Sequence, residues 1–172
     1  NEEIHMNRLI KNLKRFNRNI FVVDSFSTDK TIDILKNYKI KFYQRKFLGY
    51  SDQLNWAINN NPYNSDWVLR IDSDEMLNTK LVNEIEELIN TNINGIMIKR
   101  NVFFLNKLLK NGVHSNSYIL RLWKKNAGYF SNDLVDEQFI LKEGISIKSK
   151  TTMIENNLKG LWFYLNKHIR YS

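Results

Sequence analysis

Apolar positions recur first at helical and then at strand spacing. Met6, Leu9, Ile10 and Leu13 fall three and four apart, the period of one helix face. Ile20-Phe21-Val22-Val23 is a short apolar run that ends at Asp24, as in a buried parallel strand. Ser27 or Thr28 suits the start of the next helix, with Asp29 in its first turn, and Ile32 and Leu35 would face inward. Ile40-Lys41-Phe42-Tyr43 predicts a strand, and Leu54, Ala57 and Ile58 predict a helix face. Residues 67–71 predict a strand that runs into Asp72, and Leu81, Ile85, Leu88 and Ile89 predict an amphipathic helix.

This alternation implies an α/β fold with helices on both faces of a sheet. After Gly95 the texture changes. Ile96-Met97-Ile98 and residues 118–123 and 138–141 predict strands without long helices between them, which suits antiparallel or mixed pairing on one side. Leu158, Leu161, Trp162, Leu165 and Ile169 predict a C-terminal amphipathic helix. The 172 residues suit one domain, and the 42% hydrophobic content suits a globular one. The absence of Cys excludes disulfides, thiolate metal sites and cysteine nucleophiles. No apolar run is long enough for a spanning helix. The chain begins at Asn1, not Met, which raises the expectation that an N-terminal piece is absent.

Lys and Arg number 26 against 18 Asp and Glu, a net charge of +8. The excess is spread along the chain, and neither a basic arm nor an RNA-binding aromatic motif stands out. It fits phosphorylated ligands or an anionic surface as well as a compositional bias of the source.

Two acidic strand ends carry the candidate chemistry. Asp72-Ser73-Asp74-Glu75 follows the 67–71 strand directly. Open α/β sheets bind ligands beyond the carboxyl ends of their strands. Side chains two apart point the same way, so Asp72 and Asp74 suit a hard divalent cation completed by water and phosphate. The ordinary alternative is a polar turn before the helix near Thr79. Asp24 ends the earlier strand, and its carboxylate could accept from a base N–H or a ribose hydroxyl. The ordinary alternative there is a helix cap. There is neither a Walker phosphate loop nor a Gly-x-Gly-x-x-Gly.

Several segments together resemble a known family. They are Asn1-Glu2-Glu3, residues 22–31, Phe47-Leu48-Gly49-Tyr50 with Gln53 and Asn55, residues 67–75, Arg121-Leu122-Trp123, Asp136-Glu137, and residues 164–171. In order and spacing they resemble the family 2 glycosyltransferases with the GT-A fold. Within that family they look closest to the branch that includes lipopolysaccharide-core β-glucosyltransferases.

The resemblance implies a GT-A, Rossmann-like mixed sheet over residues 1–150. Residues 151–172 then form a C-terminal amphipathic helix, part of the same domain or a membrane-docking element. It implies inverting transfer of a sugar from a nucleotide-diphosphate donor, a UDP-sugar first among them, to a glycan or lipid-linked glycan of the cell envelope. Mg²⁺ or Mn²⁺ is the implied cofactor, and the cytoplasmic face of the membrane is the implied place of work. By position, Asp24 would hold the base or ribose, Asp72 would lie near ribose and metal, and Asp74 would contact the metal. Glu2 would touch the nucleotide. Gln53 and Asn55 lie in the donor-side segment, with a helix-surface role as the alternative, and Arg45 could neutralise diphosphate. Glu137, with Asp136 next, would be the base that takes the acceptor hydroxyl proton. The alternative for that pair is a solvated turn.

This sequence also departs from the family's pattern. The apolar strand that normally precedes Asn-Glu-Glu, central in the fold, is missing. Asp136 stands where the branch often has His, and a His expected before the C-terminal helix is absent. His5, His114 and His168 show no metal-ligand spacing. A nucleotide-binding relative without transfer activity is therefore the first rival reading. A basic nucleic-acid-binding domain is the second, and the charge pattern does not favour nucleic acid as a partner.

Overall fold

The computed structural model describes residues 1–110, 117–131, 138–163 and 165. Helix α1 spans Glu3–Lys14, and its spacing of Met6, Leu9 and Ile10 buries that face as the sequence predicts. It leads into strand β1, Phe21–Asp24, then helix α2, Thr31–Asn37, and strand β2, Lys41–Gln44. β1 and β2 pair in parallel, so both carboxyl ends point the same way. Leu35 and Ile40 join Met6, Leu9 and Ile10 in a core between these four elements.

Helix α3, Tyr50–Asn59, is followed by strand β3, Trp67–Leu69, and the two-residue strand β4, Glu75–Met76. Helix α4, Thr79–Leu88, precedes strands β5, Gly95–Phe104, β6, Lys107–Leu108, and β7, Tyr118–Lys124. Strands β8, Gly128–Phe130, and β9, Phe139–Leu141, form a separate antiparallel pair, and β10 spans Ser146–Asn156. The main sheet runs β3-β7-β5-β10-β4, with β6 on the end of β5, and is mixed because β5 and β10 are parallel.

Successive residues of β7 serve opposite faces of this sheet. Leu122 packs under α4 with Leu81, Val82, Ile96, Ile98 and Met153. Trp123 turns the other way, stacking on Phe139 at 4.1 Å with Phe130 edge-on, beneath Leu54 and Ile58 of α3. Helices thus cover both faces. The edge of β1 away from β2 and the edge of β3 away from β7 pair with no strand among the described residues. Val22, Val23, Val68 and Leu69 beside those edges are only half-buried.

Three local outcomes differ from the sequence expectation. Ser27 and Thr28 do not cap α2. Ser27 is recruited by Asp24 and Thr28 by Asn1, and Asp29 accepts the Thr31 N–H at 3.0 Å instead. β10 is an unforeseen central strand. Its sequence is mostly polar, and only Ser149 and Met153 are buried. Its register slips between Lys148 and Thr152, and Glu84 of α4 accepts the N–H groups of Lys150 and Thr151 freed there, at 2.6 and 2.8 Å. Residues 160–163 and 165 are helical, but Leu161, Trp162 and Leu165 face solvent, with Trp162 79% exposed.

Asn78 ties α4 to β10, since its carboxamide accepts from the Leu81 N–H and donates to the Thr152 carbonyl at 2.8 Å. Asn78→Ala should cost about 2 kcal/mol, the upper range for an N-cap, because both bonds go. Urea unfolding checks this, and a loss below about 0.5 kcal/mol would contradict the tie.

Candidate functional site

The first acidic tip is held by its own loop. Asp24 is buried, and its carboxylate accepts from the Ser27 N–H at 2.9 Å, from the Ser27 hydroxyl, and from Gln44 Nε2 at 3.0 Å. Burial pulls its pKa up, but these donors outweigh it and hold the group below the usual carboxylate range. Phe26 in the same loop has φ +59° and is exposed. Ser25 donates to Gln53 of α3 at 2.9 Å, which brings Gln53 to this loop.

The second tip depends on a buried guanidinium. Arg121 of β7, 2% exposed, donates through Nη2 to Asp72 at 2.9 Å and to the fully buried Glu75. Arg70 Nε donates to the other oxygen of Asp72 at 3.2 Å. Glu75 also accepts the Asp72 N–H at 2.8 Å, which closes the turn. Burial and the neighbouring Asp72 charge push the Glu75 carboxyl up to about 7 against the pull of Arg121. Burial acts upward on Asp72 too, but the two guanidiniums keep it ionised at lower pH than an ordinary Asp. Asp74 accepts from Asn157 Nδ2 at 2.9 Å, and Arg8 Nη2 bonds the Asn156 carbonyl at 2.6 Å beneath it.

Residues 1–3 join the two tips. Asn1 accepts from the Thr28 N–H at 2.8 Å, the Glu2 N–H donates to Thr31 at 2.8 Å, and the Glu3 N–H donates to Asp29 at 3.0 Å. On the other side Glu2 accepts from Ser73 at 2.8 Å, His5 Nδ1 at 2.7 Å and Lys159 Nζ at 2.5 Å. His5 is fully buried, and its Nε2 accepts the Leu158 N–H at 2.9 Å, so the ring proton sits on Nδ1. Burial raises the Glu2 pKa, yet the His5, Lys159 and Ser73 bonds bring it down to about 2.

Of the residues singled out in the sequence, Glu2 bonds Ser73, which lies between Asp72 and Asp74, and Thr31 at the start of α2, in the segment that follows Asp24, while Gln53 bonds Ser25 next to Asp24. Asn55 and Arg45 are engaged elsewhere. Asn55 spends its carboxamide on the Phe130 backbone at 2.8 and 2.9 Å. Arg45 pairs with Asp52 at 2.7 Å and lies 5.3 Å from the Trp56 ring centre. Asp136 and Glu137 lie outside the described residues, as do His114 and His168. Two grooves flank α1, and neither is lined by Asp24, Asp72 or Asp74.

Arg121, His5, Asn157 and Lys159 are the partners that sequence reasoning passed over. An Arg inside the apolar run Tyr-Ile-Leu-Arg-Leu-Trp could have been found, because a buried cation requires an anion. Lys159 carries no such signal, since its contact with Glu2 spans 157 residues, whereas His5 stands one helical turn after Glu2 and only its contact with Leu158 spans 153.

Among the described residues no group of three or more His, Cys, Asp or Glu could hold a metal by itself. Asp74 fits a narrower role. Magnesium-like ions accept a single carboxylate when water and phosphate complete the shell. Asp72 fits less directly, because both of its oxygens already face guanidiniums.

Comparison with known proteins bears on this geometry. The family model described as "Glycosyl transferase family 2" matches residues 1–141. An uncharacterized glycosyltransferase of Rickettsia typhi is 40% identical over 86 residues, 50% of this chain and 29% of the relative. One from Rickettsia bellii is 38% identical over the same length, again 29% of the relative. The chain thus matches less than a third of each of these proteins. The crystal structure of S. aureus TarS 1-349 superimposes with a TM-score of 0.64 at 17% identity, covering 91% of this chain and 58% of that one. At that identity the likeness concerns the fold.

Because the Glu2 carboxyl falls from 4.5 to about 2 on folding, its stabilisation is complete above pH 4.5 and disappears as pH falls toward 2. Glu2→Gln should cost about 2 kcal/mol at pH 7, discounted for a side chain that is 32% exposed. The gap between wild type and variant should close between pH 4.5 and 2 in urea unfolding. A gap independent of pH would contradict the bonding of Glu2.

Proposed function

The chain belongs to glycosyl transferase family 2, and from that premise we propose that it moves a sugar from a nucleotide-diphosphate donor, such as a UDP-sugar, to a cell-envelope glycan. The acceptor in this reading is free or lipid-linked, with lipopolysaccharide core as the first example. The observation that supports it best is that residues 1–3 bond both the loop after Asp24, at Thr28, Asp29 and Thr31, and Ser73 between Asp72 and Asp74. Carboxylates beyond the carboxyl ends of strands suit a nucleotide whose hydroxyls and base N–H groups need acceptors.

Asp24, already turned by Ser27 and Gln44, accepts from the base or ribose. Asp72, oriented by Arg121 and Arg70, faces the ribose side. Asp74 holds Mg²⁺ or Mn²⁺, which when bound supplies positive charge to the donor diphosphate. In the transfer the bond from the sugar C1 to the diphosphate oxygen breaks, and its electron pair leaves with that oxygen. The acceptor oxygen bonds C1 from the opposite face, and its proton passes to a carboxylate. Glu137 is proposed for that base, with Asp136 beside it. Glu137→Gln should abolish transfer while nucleotide binding survives.

The described residues contain no helix long and apolar enough to cross a membrane. The exposed Leu161, Trp162 and Leu165, close to Lys159, suit peripheral docking at the cytoplasmic face. A nucleotide-binding relative without transfer is the second reading, favoured by the guanidiniums that occupy both oxygens of Asp72.

A thermal-shift panel of nucleotide-sugars with and without Mn²⁺ tests the donor site. A ligand at one hundred times its Kd adds about 2.7 kcal/mol, a rise of several degrees for a domain of this size. The rise should require Mn²⁺ and vanish in Asp74→Asn. If no nucleotide-sugar shifts the wild type, the donor site is misassigned.

A further inference from the structure

Three consecutive residues after β10 reach back onto the junction. Asn157 Nδ2 donates to Asp74 at 2.9 Å, the Leu158 N–H donates to His5 Nε2 at 2.9 Å, and Lys159 Nζ donates to Glu2 Oε1 at 2.5 Å and to the Asn1 carbonyl at 2.9 Å. Asn157 also accepts the Lys159 N–H at 2.9 Å. One carboxamide therefore links the Asp74 carboxylate to the backbone that carries the Lys159 ammonium.

We propose that Lys159 is a diphosphate-binding residue of the donor site, held on Glu2 until an anion replaces that carboxylate. The inference rests on the donor-site reading above. A nucleoside diphosphate carries two to three negative charges at neutral pH and would arrive among Glu2, Asp24, Asp72 and Asp74. One divalent cation leaves that cluster negative, so cationic side chains are required.

The arginines nearby are committed. Arg121 is buried between Asp72 and Glu75. Arg70 pairs with Asp72 and lies 5.5 Å from the Phe130 ring centre. Arg8 bonds the carbonyls of Asp74 and Asn156. Arg45 pairs with Asp52.

Lys159 differs in two respects, although its side-chain exposure of 19% matches that of Arg70 at 20% and it too lies against a ring, 4.7 Å from the Phe163 centre. Its ammonium is a point charge on a flexible stem, which re-aims by rotamer change alone. The next residue, Gly160, has φ +80° with open space around its Cα, so the backbone there is unobstructed. Release of Lys159 leaves the Glu2 Oε2 bonds from His5 and Ser73 in place and frees Oε1.

The test compares nucleoside diphosphates with monophosphates. Calorimetry with Mn²⁺ measures UDP, GDP, CDP and ADP and the four monophosphates on wild type, Lys159→Met and Lys159→Arg. For the base that wild type prefers, Lys159→Met should weaken the diphosphate about tenfold or more, the size of one charge-assisted bond. It should leave the monophosphate within about twofold, and Lys159→Arg should keep most of the diphosphate affinity. Monophosphate binding also shows that the variant is folded. Unchanged diphosphate affinity in Lys159→Met, or equal loss of both nucleotides in both variants, overturns the role of Lys159 while leaving the donor site standing. A wild type that binds none of the eight overturns the donor site and this inference together.

Discussion

A buried guanidinium holds the site in shape. Arg121, in the middle of an apolar strand, would cost several kcal/mol if it were left unpaired. It is tolerated because Asp72 and Glu75 converge on it. The same requirement fixes the turn between them, since Glu75 can reach Arg121 only if residues 72–75 fold back and the Asp72 N–H meets its other oxygen. The core thereby dictates the position of a strand-end loop that would otherwise be an exposed acidic turn.

This arrangement concentrates negative charge. Glu75 sits opposite Glu155 in the antiparallel register of β4 and β10, a like-charge pairing that is unfavourable by itself. Arg121 relieves one partner, and Arg100 relieves the other at 2.7 Å. The elevated pKa of Glu75 comes first from its burial and then from the Asp72 charge, with Glu155 adding a smaller push. Folding costs more stability as pH rises from 4.5 toward 7, because the native state then surrenders a proton it prefers to keep. The junction thus accepts a cost in stability in holding several carboxylates close to their cationic partners, a pattern common at ligand sites.

The sequence made much of this legible where chemistry is local. The helices α1 and α4 follow from apolar spacing, and β1 and β3 follow from apolar runs that end in acidic residues. Asp24 and Asp72 stood out because each directly follows an apolar run, and Asp74 because it lies two residues further on, although a helix cap or a polar turn uses the same residue type there. β10 was not readable, because its neighbours β4 and β5 supply the burial and its own side chains are largely polar. Glu2 was not legible as a bridge, since Ser73 and Lys159 reach it from 71 and 157 residues away. Asn55 shows the opposite error. A polar side chain in a suggestive segment turned out to clamp α3 to β8.

Paramagnetic broadening addresses the central claim, that the two acidic loops border a single ligand space. Substoichiometric Mn²⁺ would be added with UDP to labelled protein, and the amide signals of residues 25–28 and 72–75 followed together. Broadening of both sets, dependent on the nucleotide, is the result this structure predicts. Broadening confined to one loop, or absent from both, would contradict it.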